Sequence, residues 1–278
     1  GCSDVIIATE DASLGMGGPA MIAGGGLGDV HPDEVGPMTM QAPNGVVDII
    51  VGDEAEAVAV AKQALGYFTQ PTLEIRTSDQ STLQALMPES PRRAFDVVPV
   101  IEALADVDSV TVLRPQFAPE LVTAFARIEG QPIGVIANNS LHAAGTITAD
   151  ASDKGARFLQ LCDAFGIAVL SLVDTPGFIV GPKEEATGLV RHASRLLIAG
   201  AALTVPLIAV ILRRGYGLGA QAMVGGSLHE PLLTVAWPSA HLGPMGLEGA
   251  VRLALRNELE AIADDAEREA RVRELTEM

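Results

Sequence analysis

The chain has 278 residues, 48% of them hydrophobic, with 35 acidic against 18 basic side chains and a formal net charge of −17. That length allows one large domain or two ordinary ones with a substantial core, and the negative excess argues against any extended nucleic-acid or anionic-membrane surface. Two cysteines, Cys2 and Cys162, exclude a disulfide framework and a cysteine-rich zinc site and fit a reducing cytoplasm, and five histidines without H-E-x-x-H spacing give no metal expectation.

From the amino end, residues 5–17 form an apolar strand followed by Leu14-Gly15, Met16-Gly17 and a small-residue helix start. The same order returns at residues 233–246, with Leu242-Gly243 and Met245-Gly246, and the echo reads as an internal duplication. The second copy has a long series of elements ahead of it from about Ala94 and the first has almost none, so the first domain is expected to be truncated at its front.

Residues 53–68 open on Asp53 and Glu56 and set Ala57, Val58, Val60, Ala61, Ala64 and Leu65 at helical spacing, a capped amphipathic helix. Residues 69–93, with Pro71, Pro88, Pro91 and many small polar side chains, read as an interdomain connection. A helix follows over 97–105, then strands over 109–114, 121–129 and 131–137, the last two meeting in a hairpin at Gly130. Asn138 and Asn139 lead into His142-Ala143-Ala144-Gly145-Thr146.

Next come a helix over 150–165, in which Cys162 is a packing residue, a strand over 168–174, the turn Thr175-Pro176-Gly177-Phe178, a helix over 184–202 and a strand over 205–212. This alternation is an α/β arrangement, with ligands expected at the carboxyl ends of the strands. The apolar run 196–212 is short for a membrane span and is interrupted by Gly200, Thr204 and Pro206. Arg191, Arg195, Arg213 and Arg214 bracket the strand and read as solvated helix ends in preference to a basic patch for an anionic substrate, and His192 as a polar surface residue. Residues 251–278 read as an amphipathic helical tail.

The junction Gly215-Tyr216-Gly217-Leu218-Gly219-Ala220 satisfies G-x-G-x-x-A. A dinucleotide site would also need an acidic residue about 20 positions on. The next apolar run, 231–236, ends in Trp237-Pro238-Ser239-Ala240 without a carboxylate. Two readings remain: a turn whose bare amides, at the start of a helix, bind a phosphate or a developing oxyanion, and a turn that is purely structural.

Several segments in one order, Gly134-Val135-Ile136-Ala137-Asn138-Asn139, Asp174-Thr175-Pro176-Gly177-Phe178, Val190-Arg191-His192, Thr204-Val205-Pro206-Leu207 and residues 213–223, resemble the carboxyltransferase subunit of biotin-dependent acyl-CoA carboxylases, propionyl-CoA carboxylase beta type. The resemblance covers essentially every residue. It implies crotonase-like domains, each a stack of strand-strand-helix units, with residues 1–70 as the back end of a first domain, 71–93 as linker and 94–278 as most of a second, a fragment at both ends.

The implied reaction moves carboxyl from carboxybiotin to the α-carbon of a short-chain acyl-CoA, with backbone amides stabilising the oxyanions and biotin N1 as base. The resemblance places the biotin-side oxyanion hole at Leu218 and Gly219, preceded by Gly217, with Gly145 as a facing donor. Gln221, Gly177, Phe178 and Tyr216 would line the substrate and biotin side. Gln221 stands where well-known members carry an Asp tied to acyl-chain choice. The glycine pair for the acyl-CoA enolate aligns upstream of Gly1, so the piece alone is expected to be inactive.

No Ala-Met-Lys-Met attachment site occurs. Biotin is therefore expected on a biotin carboxylase/biotin carboxyl carrier partner, the assembly to be a hexamer, and the location cytoplasmic. Alternatives are a decarboxylase or transcarboxylase subunit acting on malonyl-type or glutaconyl-type thioesters, and a noncatalytic assembly subunit.

Overall fold

A computed structural model describes residues 2–69, 71–88, 90 and 93–277. Gly1, Pro91 and Met278 lie outside them. The centre is a seven-stranded mixed sheet. Its strands are β3 (Thr111–Leu113), β4 (Leu121–Ile128), β5 (Gln131–Asn138), β6 (Val169–Thr175), β7 (Leu207–Tyr216) and β8 (Leu233–Ala236) in that spatial order, with β9 (His241–Gly243) continuing beside the end of β7. β3, β4 and β5 pair antiparallel, and every later pairing is parallel.

The hairpin between β4 and β5 turns on Glu129 and Gly130, at φ 50° and 77°. Positive φ at both positions matches the right-handed twist of the flanking strands. A side chain at Gly130 would sit 2.3 Å from the Thr72 carbonyl oxygen, because the connection runs directly over the turn.

Both faces of the sheet are covered along β4 to β7, while the edge strands β8 and β9 are mostly exposed. Leu170 and Leu172 of β6 join the core under the helix Val98–Leu104, while Val169 and Val173 point the other way, as the period of two requires. That second face carries the helices Ala149–Ala164 and Leu189–Ala201. Burial raises the Cys162 thiol to about 12, so it acts as a core side chain.

A smaller parallel pair, β1 (Ile7–Thr9) with β2 (Ile49–Val51), leads into the helix α1 (Glu54–Tyr67). Asp53 caps α1 by accepting from the Glu56 amide at 2.8 Å. The inward stripe is half-buried Ala57, Val60 and Ala61 with buried Ala64 and Tyr67, whereas Val58 and Leu65, expected on it, are exposed. The stripe ends in Tyr67, stacked on Phe125 with ring centroids 5.4 Å apart. Asp48 of this part pairs with Arg114 at 2.9 Å, both nearly buried, and Arg127 of β4 donates to the Gly66 carbonyl at 2.5 Å.

Three expected elements differ. The helix expected over 184–202 breaks at Gly188, which sits at φ 81°, into Pro182–Glu185 and Leu189–Ala201. The expected tail is three helices, Leu247–Ala254, Arg256–Glu260 and Asp265–Glu277, the last opened by Asp264 accepting from the Glu267 amide. The strand expected to stop at Leu212 runs on to Tyr216, taking both arginines with it. In the echo, strands Ile7–Thr9 and Leu233–Ala236 precede the helices Pro19–Gly24 and Leu247–Ala254.

Lys154 lies under the loop between β3 and β4. Its ammonium donates to the carbonyls of Arg114, Phe117 and Ala118 at 3.0, 2.8 and 3.3 Å, in a loop where Arg114 and Ala118 both have positive φ. Burial pushes its pKa from 10.5 down to about 7, against the pull of Glu120. Between those values the unfolded chain binds the extra proton, so this group makes stability rise with pH by up to about 1.4 kcal/mol per pH unit. Lys154→Met is expected to flatten the rise between pH 7 and 9 in urea unfolding, and an unchanged slope would refute the assignment.

Candidate functional site

The site forms where β5, β6 and β7 end together. Val173 pairs with Ile211, but Thr175 pairs with Gly215, so two steps along β6 match four along β7. This bulge lies opposite Asp174, whose carboxylate is fully buried. Oδ1 accepts from the Arg214 amide at 3.2 Å and from Arg214 Nε at 2.9 Å, and Oδ2 accepts from Arg213 Nη2 at 2.6 Å and Nε at 3.2 Å. Burial raises the Asp174 pKa, but the hydrogen bonds from Arg214 and Arg213 outweigh it and hold the carboxyl below its ordinary range. Arg213, 1% exposed, is a buried structural cation, not the solvated helix end expected, and Arg214 is also part of the strand.

Past Tyr216 the chain turns into a short helix, Gly217–Met223. Gly217 has φ 57°, and a side chain there would lie 2.9 Å from the Pro244 carbonyl oxygen. A side chain at Gly219 would lie 2.6 Å from Gly177 Cα and 2.7 Å from its carbonyl carbon, so the turn after β6 packs flush against the start of this helix. No side chain caps the helix start at Tyr216. The amides of Gly217, Leu218 and Gly219 are the first three of the helix, which have no carbonyl partner within it.

Gly177, Phe178, Gly217, Leu218 and Gly219 therefore come together at one place. The Tyr216 ring lies against Gly246, and Gln221 is exposed on the following turn. The Gly177 amide is held by Thr175 Oγ1 at 3.1 Å, while its carbonyl accepts from Ile147 at 3.0 Å, which brings the loop after β5 alongside.

Gly145 in that loop, expected as the facing donor, has its amide engaged within the loop. Its amide donates to the His142 carbonyl at 2.8 Å, because Ala143 and Ala144, at φ 44° and 54°, curl the loop back on itself. His192 is not a loose surface group either. It meets Asp153 Oδ2 at 2.7 Å while Arg195 takes Oδ1 at 2.9 Å, stapling Leu189–Ala201 to Ala149–Ala164.

A cavity of about 630 Å³, lined by Arg114, Lys154, Arg157 and Arg195 among others, opens elsewhere, between residues 3–46 and the helix Ala149–Ala164. The glycine turn instead lies at an open surface, with Leu218 62% exposed. Among the described residues no cluster of His, Cys, Asp or Glu could hold a metal, and no helix is long and apolar enough to cross a membrane.

Asp174 is the functional candidate that sequence reasoning missed. Its partners lie 39 and 40 residues away, and although the segment Asp174–Phe178 carries part of the resemblance, nothing in it names the arginines that Asp174 holds.

The carboxyl transferase domain family matches residues 1–278. The carboxyltransferase subunit of propionyl-CoA carboxylase from Haloferax mediterranei is 35% identical over 262 residues, 90% of this chain and 50% of that protein. Among solved structures, a single-chain, multi-domain long-chain acyl-CoA carboxylase superposes with a TM-score of 0.92 at 50% identity, covering 98% of this chain and 27% of that one. The transcarboxylase 12S hexamer, with methylmalonyl-CoA bound, gives 0.84 at 32% identity over 99% and 55%. The chain thus spans about half the length of the curated relatives it matches. The match over the full chain and the superposed crotonase-like core place this protein in the carboxyl transferase family.

Proposed function

We propose that the chain carries the biotin side of an acyl-CoA carboxyltransferase, moving carboxyl from carboxybiotin to the α-carbon of an acyl-CoA. The observation that supports this most directly is the uncapped helix start at Gly217–Gly219, set at the carboxyl end of β7 and backed by Gly177. Donors fixed where a ureido oxygen gains charge stabilise it without reorganising, the largest catalytic contribution open to a site without a side-chain base. Biotin, when bound, supplies the carboxyl group and a ring nitrogen that takes the α-proton. The chain's residues fit it: the Leu218 and Gly219 amides receive the oxyanion, Gly217 gives the turn its path, and Phe178 and Tyr216 flank the approach. Only main-chain atoms act at 217–219, which agrees with glycine at two of the three positions.

In the same reading, residues 1–70 and 94–278 belong to two crotonase-like domains joined by 71–93. Biotin arrives from outside residues 1–278, on a partner subunit or on another domain, as the single-chain relative allows. A hexamer like that of the 12S enzyme is the proposed assembly, and the proposed location is cytoplasmic.

A long acyl group is favoured over the short one expected from the propionyl-type resemblance. Identity to the long-chain enzyme is 50%, against 32% to the transcarboxylase, and Gln221 stands where well-known members carry an Asp tied to acyl-chain choice.

The test is ATP-dependent fixation of labelled bicarbonate by the complete protein with its biotin-bearing partner, across acyl-CoA substrates from propionyl to palmitoyl. Fixation that rises with chain length is expected. Carbon dioxide release from malonyl- or glutaconyl-CoA without fixation would make it a decarboxylase, and a folded assembly with no turnover would make it a scaffold.

A further inference from the structure

We propose that Asp174 is a positioning residue for carboxyl transfer, acting through Arg214 to hold the β7 bulge that aims the Gly217–Gly219 amides. The inference rests on the oxyanion role assigned to those amides. A bulge in a strand leaves backbone groups without ladder partners and turns the chain that follows. Here the residues unmatched on the β6 side lie opposite Asp174, and Oδ1 accepts from the Arg214 amide, while Arg214 keeps its register partner His241 on the β9 side.

The same oxygen accepts from Arg214 Nε, and Arg214 Nη2 reaches on to the Ala144 carbonyl at 2.8 Å, in the loop after β5. Oδ2 holds Arg213, which donates from Nη1 to the Arg93 carbonyl at 2.7 Å and from Nη2 to Ser140 Oγ at 3.2 Å, with its guanidinium 4.6 Å over the Phe95 ring. The Asp174 amide in turn donates to Asn138 Oδ1 at 3.2 Å. One residue therefore ties the three strand ends together, its carboxylate to β7 and its amide to β5. The glycine turn begins three residues beyond Arg214, and displacing reacting groups by about 1 Å lowers rates about 100-fold.

The division of labour between the two oxygens makes the idea testable. Arg213 reaches the Arg93 carbonyl and Ser140, and Arg214 reaches the Ala144 carbonyl, so loss of Arg214 frees the bulge that precedes the turn while the buried half of the network stays paired. A lysine at 214 keeps a cation against Oδ1, whereas a methionine does not.

The experiment compares Arg214→Met, Arg214→Lys, Asp174→Asn and Gly219→Pro in the complete protein with its biotin-bearing partner, measuring kcat, KM for acyl-CoA and melting temperature. Arg214→Met is expected to lower kcat at least about tenfold with KM within about twofold, as a displacement somewhat below 1 Å would do. Arg214→Lys should restore most of it, and Asp174→Asn should lose more. Arg214→Met with wild-type kcat per folded molecule would overturn the inference, whatever its melting temperature. If Asp174→Asn fails to fold, the two Arg214 variants decide. An inactive Gly219→Pro, which deletes the amide itself, beside an active Arg214→Met removes the positioning role alone, whereas a fully active and folded Gly219→Pro removes the oxyanion reading and this inference with it.

Discussion

Replacing Gly219 by alanine should cut kcat of the complete enzyme about 100-fold while leaving KM for acyl-CoA within a few-fold. In an ordinary helix the change would be favourable by about 1 kcal/mol, since alanine outranks glycine as a helix former. Here the added methyl would lie 2.6 Å from Gly177 Cα and 2.7 Å from its carbonyl carbon, and both are backbone atoms with no rotamer to yield. Something must shift, and the helix start is the freer side because Leu218 beside it is exposed. Steady-state kinetics on the assembled enzyme checks this. Turnover within twofold of wild type would mean that the close approach of the two turns has no bearing on chemistry.

Arg213→Met should lower stability by about 3–5 kcal/mol at neutral pH, the usual consequence of stripping one partner from a buried ion pair. Against a total of about 5–15 kcal/mol for a folded domain, that is a large share. The effect also has a pH signature. Asp174 is held below its ordinary value of 3.8, so the stability it contributes is complete above that value and is lost as pH falls through the folded pKa. The gap between wild type and Arg213→Met should therefore narrow in acid. Urea unfolding at pH 7 and at about pH 3, below the ordinary carboxyl value, measures both, and a gap that is small at pH 7 or constant between the two would count against the network as described.

The glycine turn was legible in the sequence because its requirement is local: residues with little or no side chain at a strand-to-helix junction leave amides bare wherever the fold puts them. The order of strands and helices over 97–202 was legible for the same reason, from apolar periodicity. What stayed hidden depends on distant partners. Arg213 and Arg214 read as solvated because charged side chains at a strand end usually are, and only the fold brings them to a carboxylate 39 residues away.

Gly145 was a reasonable donor from its place in the loop. The left-handed Ala143 and Ala144 that turn its amide inward carry no sequence signature, since alanine rarely adopts that conformation. Val58 and Leu65 were assigned to the buried stripe of α1 because they are apolar, yet the true stripe ends on Tyr67, fixed by the Phe125 ring it meets. The break at Gly188 was missed because a lone glycine within a helical pattern is often tolerated.

Tyr67 and Phe68 sit against Phe125, and Phe125 against Phe158, so the small parallel pair and the large sheet share one oily interior. Residues 71–88 then act as a strap laid across a seam that is already welded, not as a joint between movable bodies. A chimera that grafts either half onto a foreign counterpart would have to import both sides of the aromatic seam, along with the Asp48–Arg114 rivet, or leave a hole at its centre.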